Sequence, residues 1–176
     1  MTEPLGYWRT RGRTYERDFR PERFVAQEAA LVDVLRPLRF ASVLDVGCGF
    51  GRIGELLFEL KPDLRTYVGV DISPDQLAAA QRRLGPRARL VSGDIRELDE
   101  RPADLVIASE VLMHVPPTDI MSLVERLRGL ARRHLVTVDW DAPGKEAGGY
   151  CWGHDYATLL PGARKVPVGR QAIWVL

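Results

Sequence analysis

The stretch SVLDVGCGFGR, residues 42–52, decides the fold. A short apolar run (Ser42–Val46) meets the glycines Gly47, Gly49 and Gly51, and the helical spacing Ile53, Leu56, Leu57, Leu60 follows at once. A buried strand, a tight glycine turn and an amphipathic helix make the first unit of a parallel sheet. The unit then repeats. Thr66–Val70 (TYVGV) reads as a second strand, and the next helix has clear boundaries. Ser73 stands at its N-cap, Pro74 at its first position, Gln76 closes a capping box, and Gly85-Pro86 ends it.

Outward from that core, Arg89–Ser92, Asp104–Ala108 and His134–Asp139 read as strands three to five. Thr118 is expected to cap a helix that carries Ile120, Met121, Val124, Leu127 and Leu130. Upstream, residues 1–23 read as loop, and Phe24–Leu35 as a helix stopped by Pro37. Downstream come a short helix around Asp155–Leu160 and two strands near Arg164–Val168 and Ala172–Leu176, joined by Gly169-Arg170. The expected fold is α/β: a doubly wound, mostly parallel seven-stranded sheet with a C-terminal antiparallel hairpin. Residues 1–176 are expected to form one domain, with 1–39 as a lid and 40–176 as the core.

Composition narrows the function. A chain of 176 residues, 45% hydrophobic and 28% charged, suits one domain with its own core. Lys+Arg (25) against Asp+Glu (24) leaves a net charge of +1, which argues against a protein that coats nucleic acid. The basic residues include only Lys61, Lys145 and Lys165 as lysines, and asparagine is absent. No run approaches a membrane span, and MTEPLGYWRTRGR lacks the apolar segment of a signal peptide, so a soluble, cytoplasmic protein is expected. Cys48 and Cys151 make neither a disulfide framework nor a C-x-x-C metal site, and no metal is expected.

Ligands of doubly wound sheets bind beyond the carboxyl ends of the strands, and here each end carries a polar group. Strand one ends in Asp45 and the glycines, strand two in Asp71, strand three in Asp94, strand four in Ser109-Glu110, and strand five in Asp139. Glycines allow backbone N–H groups to approach a ligand, and a carboxylate at the end of strand two can accept both ribose hydroxyls. Both features suit a nucleoside. A dinucleotide needs its pyrophosphate at the helix N-terminus, where Asp45 would place negative charge; a cationic cofactor suits that position better. No Tyr-x-x-x-Lys pair and no G-x-x-x-x-G-K-[ST] loop is present.

VLDVGCGFGR (43–52), VGVDIS (68–73), SGDIREL (92–98) and DLVIASEVLMHV (104–115) resemble, in order and spacing, the motifs of class I S-adenosylmethionine-dependent methyltransferases. The resemblance covers about residues 40–140. It implies S-adenosyl-L-methionine as cofactor and S-adenosyl-L-homocysteine as product. By it, Asp45, Gly47 and Gly49 would lie along the methionine part, with Cys48, Ser109 and Tyr15 also in contact. Asp71 would bind the ribose, Ile72 would pack on adenine, Asp94 would accept from the adenine amino group, and Ile95 would donate its N–H to the ring.

Methyl transfer from a sulfonium is an in-line displacement, so the enzyme mainly has to hold an acceptor against the methyl. A base is needed only where the acceptor must lose a proton. The turn after strand four, Ala108-Ser109-Glu110-Val111, lacks the [N/D]-P-P-[Y/F] pattern of DNA and amide amino-methylation. Neither cysteine sits where a cytosine-methylating nucleophile would. The acceptor expected is therefore an O or N nucleophile of a small molecule: a natural product, sugar or metabolite. His114 and His154 are the candidate bases, against a competing reading in which His114 caps or packs beneath the cofactor. Glu110, Asp139, Trp152 and Tyr156 are the candidate acceptor-binding residues, while Asp155 also suits the N-cap of its short helix. The alternatives are an RNA methyltransferase and a non-catalytic cofactor-binding partner subunit. Six arginines against four acids in residues 1–23 make a thin platform for RNA. Nucleic acid and membrane are not expected as partners, and a homodimer is left open.

Overall fold

The computed structural model describes residues 4–148 and 150–176. Its centre is β1 (Ser42–Val46), which pairs in parallel with β2 (Thr66–Asp71) on one side and β4 (Ala103–Ser109) on the other. β3 (Ala88–Ser92) continues from β2, and β5 (Ala131–Trp140) continues from β4. β9 (Gln171–Val175) joins β5 antiparallel and β8 (Arg164–Val168) closes the edge, giving the order β3-β2-β1-β4-β5-β9-β8. This is the expected seven-stranded, mostly parallel sheet with its antiparallel hairpin. A separate ribbon pairs β6 (Glu146–Ala147) with β7 (Cys151–Trp152). Two-residue strands are too short to show alternation, so this ribbon left no mark in the sequence.

Successive β1 residues point to opposite faces and seed two cores. Val43 packs with Leu31 and Leu35 of α2 (Val25–Leu35), Ile53 and Leu57 of α3 (Arg52–Leu60), and Leu84 of α4 (Pro74–Leu84). Leu44 and Val46 pack with Leu123, Val124 and Leu127 of α5 (Ile120–Leu130) and with Tyr156 and Leu159 of α6 (Tyr156–Leu159). Strand direction reverses its lateral progress between β1 and β4, which opens a crevice above their carboxyl ends. No helix among the described residues is long and apolar enough to cross a membrane.

Four expectations need correction. Residues 4–18, expected as loop, form α1 (Pro4–Asp18), which packs on α4. Its inward face is Leu5, Trp8, Gly12 and Tyr15, a three-four spacing masked by the glycine and the arginines between. α2 is not part of a lid, because Leu31, Val34 and Leu35 are buried in the core. Thr118 does not cap α5; Asp119 holds the N-cap position without a side-chain cap, and the Thr118 hydroxyl donates to its carboxylate at 2.9 Å. The capping box of α4 is half formed. Ser73 Oγ accepts from Gln76 N, but the Gln76 side chain turns to the Gly12 carbonyl and the Ser73 N–H goes to Asp71. Asp155 does cap α6, accepting from Thr158 N.

Candidate active site

The glycine loop is shaped by what surrounds it. Gly47 and Gly49 have φ of 69° and 53°, a region that side chains rarely adopt. A Cβ at Gly47 would meet Val111 Cγ2 at 2.3 Å, so the loop lies directly against the turn after β4. Gly47 N and Cys48 N both donate to Val70 O, at 2.8 and 3.0 Å. Asp71 completes the cradle: its carboxylate accepts from Gly49 N at 2.9 Å and from Ser73 N at 2.8 Å. Burial pushes the Asp71 pKa up, and those N–H donors oppose the shift.

Above the loop lies a cavity of about 210 Å³. At one end are Ile72, Asp94 and Ile95, as the sequence implied. Burial raises the Asp94 pKa, but the Arg96 guanidinium outweighs it and leaves the carboxyl below its usual range. Arg96 was not foreseen. It grips Asp94 through Nε at 3.1 and 3.0 Å and through Nη2 at 2.6 Å, and reaches Asp119 at 3.3 Å. The middle is floored by Gly47, Cys48 and Gly49 and roofed by the inward face of α1. Burial, with Asp45 and Asp71 nearby, pushes the Cys48 thiol well up, which keeps it neutral and unreactive.

At the other end are Tyr15, Arg52, Ser109, Glu110 and His114. His114 stacks on Trp8 with ring centroids 4.2 Å apart, and its Nδ1–H donates to Tyr150 O at 2.9 Å. Burial lowers its pKa, so near neutral pH the ring is uncharged and Nε2 keeps a free lone pair. Arg52 is partly buried against the Phe24 ring, 4.6 Å away, and pairs with Glu28 at 3.0 Å. Glu110 is held by Gln27 and Gln171.

Other predicted residues lie outside this cavity. Asp45 faces the α2–α3 core, where Tyr67 Oη donates to it at 2.6 Å and burial raises its pKa to about 7. Its carboxyl underlies the glycine loop rather than lining the ligand space. Asp139 is fully buried and accepts from Met113 N at 3.1 Å; burial pushes its pKa well up. Tyr156 is wedged between Trp174 and His154, and Trp152 leans toward Tyr150. His154 Nε2–H donates to Leu112 O and Val115 O, both at 3.0 Å. The segment expected as an acceptor wall is thus the buttress of the turn that carries His114. Sequence reasoning also missed Trp8, Gly12, Gln76, Gln27 and Gln171. The spacing in α1 was the available signal for the first two; nothing local marked the glutamines. No group of three or more metal-ligating side chains occurs among the described residues.

A doubly wound sheet with a glycine cradle at its switch point and acids after β2 and β3 defines a nucleoside-binding α/β protein. The particular family follows from comparison: residues 43–134 match the model of the methyltransferase domain, and the chain belongs to that family, within the class I S-adenosylmethionine-dependent methyltransferases. The carboxy-S-adenosyl-L-methionine synthase of Chromohalobacter salexigens is 41% identical over 99 residues, 52% of this chain and 37% of that protein. A trans-aconitate 2-methyltransferase of Azoarcus sp. is 32% identical over 139 residues, 76% of this chain and 53% of that protein. The chain therefore spans less than two thirds of either relative. Among solved structures, DhpI in complex with S-adenosylhomocysteine superposes with a TM-score of 0.78 at 19% identity, over 98% of this chain and 93% of that one. That likeness shows the fold.

Proposed function

We propose that this protein transfers a methyl group from S-adenosylmethionine to an O or N nucleophile of a small molecule, with α1 as the lid over a site built on one domain. The single observation that carries the reading is the cavity itself. The glycine cradle, Asp71 and Asp94 line one continuous space that also takes in the polar groups of Tyr15, Ser109, Glu110 and His114. The residues fit the cofactor. Gln76 Oε1 and Trp8 Nε1 are buried polar atoms with no partner among the described residues, and both residues line this space. Asp71 would hold the ribose, Asp94 and Ile95 the adenine, and the backbone of Gly47–Gly49 the methionine portion. When bound, S-adenosylmethionine supplies an electrophilic methyl on a sulfonium.

The chain's own part is orientation and exclusion of water. Trp8 and Tyr15 cover the space, and the Glu110–His114 turn meets the acceptor. His114, neutral and with Nε2 free, is suited to take a proton from an acceptor that must lose one. His154 is given no such role, since its ring serves the turn. The RNA alternative is disfavoured by a net charge of only +1, which gives little attraction for a phosphate backbone. Calorimetric titration with S-adenosylmethionine and S-adenosylhomocysteine tests the reading. Tight binding by the wild type and loss in Asp71→Ala is expected; a wild type that binds neither ends it.

A further inference from the structure

We infer that Glu110 recognises the methyl acceptor and selects molecules that present an O–H or N–H donor, with Gln27 and Gln171 as its positioning residues. The inference rests on the methyltransferase reading above and names the class of acceptor. Glu110 is the residue at which β4 leaves the sheet, and its φ of 59° puts a glutamate in the left-handed region. Such a conformation is unfavourable for a residue with a side chain and persists only where its surroundings over-determine it. They do so here. The Glu110 N–H donates to Val138 O at 2.6 Å, and Oε1 accepts from Gln27 Nε2 and from Gln171 Nε2, both at 2.8 Å. Gln27 Nε2 also donates to Gln171 Oε1 at 2.8 Å, so the two amides brace each other. Gln27 lies in α2 and is only 2% exposed; Gln171 opens β9.

Three distant parts of the chain thus converge to fix one carboxylate at the polar end of the cavity. Both anchoring donors take the same oxygen, and Oε2 accepts no hydrogen bond among the described residues. The anchors are neutral amides, which orient the group without quenching its charge as an arginine would. The nearby cation, Arg52, is paired with Glu28 and stacked on Phe24. A hydroxyl or amine can donate to the open oxygen, whereas a carboxylate acceptor would face a fixed like charge.

The test uses the full chain saturated with S-adenosylhomocysteine, titrated by NMR with benzyl alcohol, benzylamine and benzoate. Binding of the alcohol or the amine, and not of benzoate, is expected. Glu110→Gln should weaken the donor fragments by about tenfold or more, while leaving S-adenosylhomocysteine affinity within about threefold. Gln171→Leu should weaken the same fragments and spare S-adenosylhomocysteine, a split that a merely structural role would not produce. Preference for benzoate, no donor fragment bound, or unchanged donor binding in Glu110→Gln overturns the inference. A fall in S-adenosylhomocysteine affinity in Glu110→Gln as large as that for the fragments also overturns it, because the carboxylate then serves the cofactor. A wild type that binds no S-adenosylhomocysteine overturns the parent reading, and the fragments, titrated also without it, still decide this one.

Discussion

Gly12→Ala should detach α1 from the rest of the protein while leaving the core intact. A Cβ at Gly12 would lie 2.0 Å from Ser73 Oγ, 2.8 Å from Ser73 Cβ and 3.2 Å from Gln76 Cγ. The hydroxyl can rotate away, but Ser73 Cβ cannot, because Asp71 accepts from the Ser73 N–H and Pro74 starts α4 immediately after. α1 must lift instead, weakening the Gln76 Nε2 bond to Gly12 O, now 2.5 Å. Overpacking of this kind costs about 1–3 kcal/mol, and the hydrogen bond adds about 1 kcal/mol. Alanine favours the isolated helix by about 1 kcal/mol over glycine, so the net loss of docking is about 1–3 kcal/mol. Calorimetry should then show S-adenosylhomocysteine binding weakened by about five- to 150-fold, and trypsin should cut sooner at Arg9, Arg13 or Arg17. The urea midpoint should fall by no more than this docking loss accounts for. Ser73→Gly removes both close atoms at little cost to the cap, so the double variant should recover affinity. Unchanged affinity and unchanged proteolysis in Gly12→Ala would refute the lid.

Three other outcomes are expected. Asp71→Ala should lower S-adenosylhomocysteine affinity by at least about tenfold, because it removes the ribose acceptor and frees the Gly49 and Ser73 N–H groups; calorimetry reads it directly. With His114 as base, burial holds its pKa down, so the acidic limb of the pH–rate profile should lie below about 6.5 and vanish in His114→Gln. For Asp45, the carboxyl keeps its proton to about pH 7 when folded and loses it near 3.8 when unfolded. The folded state binds more protons in that window, so stability falls as pH rises through it. The gap of about 3 units corresponds to at most about 4 kcal/mol, and Asp45→Asn should flatten the dependence in urea titrations at pH 5 and pH 8.

The alternation of strands and helices and the acids at the strand ends were legible because both are written locally. The period of each βα unit gives the sheet, and the acids at its strand ends follow from where the strands stop. Placement of side chains was less legible. Asp45 reads as a cofactor acid from its position beside Gly47, yet strand alternation turns it toward Tyr67 on the α2–α3 face. Tyr150 to Tyr156 is dense in reactive groups, but the chain folds them under the His114 turn, where His154 satisfies two carbonyls. α1 escaped notice because Gly12 stands where an apolar residue would have completed its stripe. That glycine is there for close approach to Ser73, which only the tertiary structure reveals. Gln27 and Gln171, separated by 144 positions, meet through topology alone.

The misses outside the family core share a cause that bears on specificity. The family match ends at residues 43 and 134, and within it lie the glycine cradle, Asp71, Asp94, Glu110 and His114. The two amides that hold Glu110 come from outside it: Gln27 from α2 and Gln171 from β9. Residues within the family core can be recognised from one sequence because a common cofactor demands common chemistry at fixed spacing. Residues outside it are not held to that common chemistry and leave no general pattern. Exchanging Gln27 and Gln171 should therefore change which acceptor fragments bind while sparing S-adenosylhomocysteine, and Asp71→Ala should do the reverse. If both sets of changes altered cofactor and acceptor binding alike, the two ends of the cavity would be one energetic unit, and the division between core and outer segments would fail.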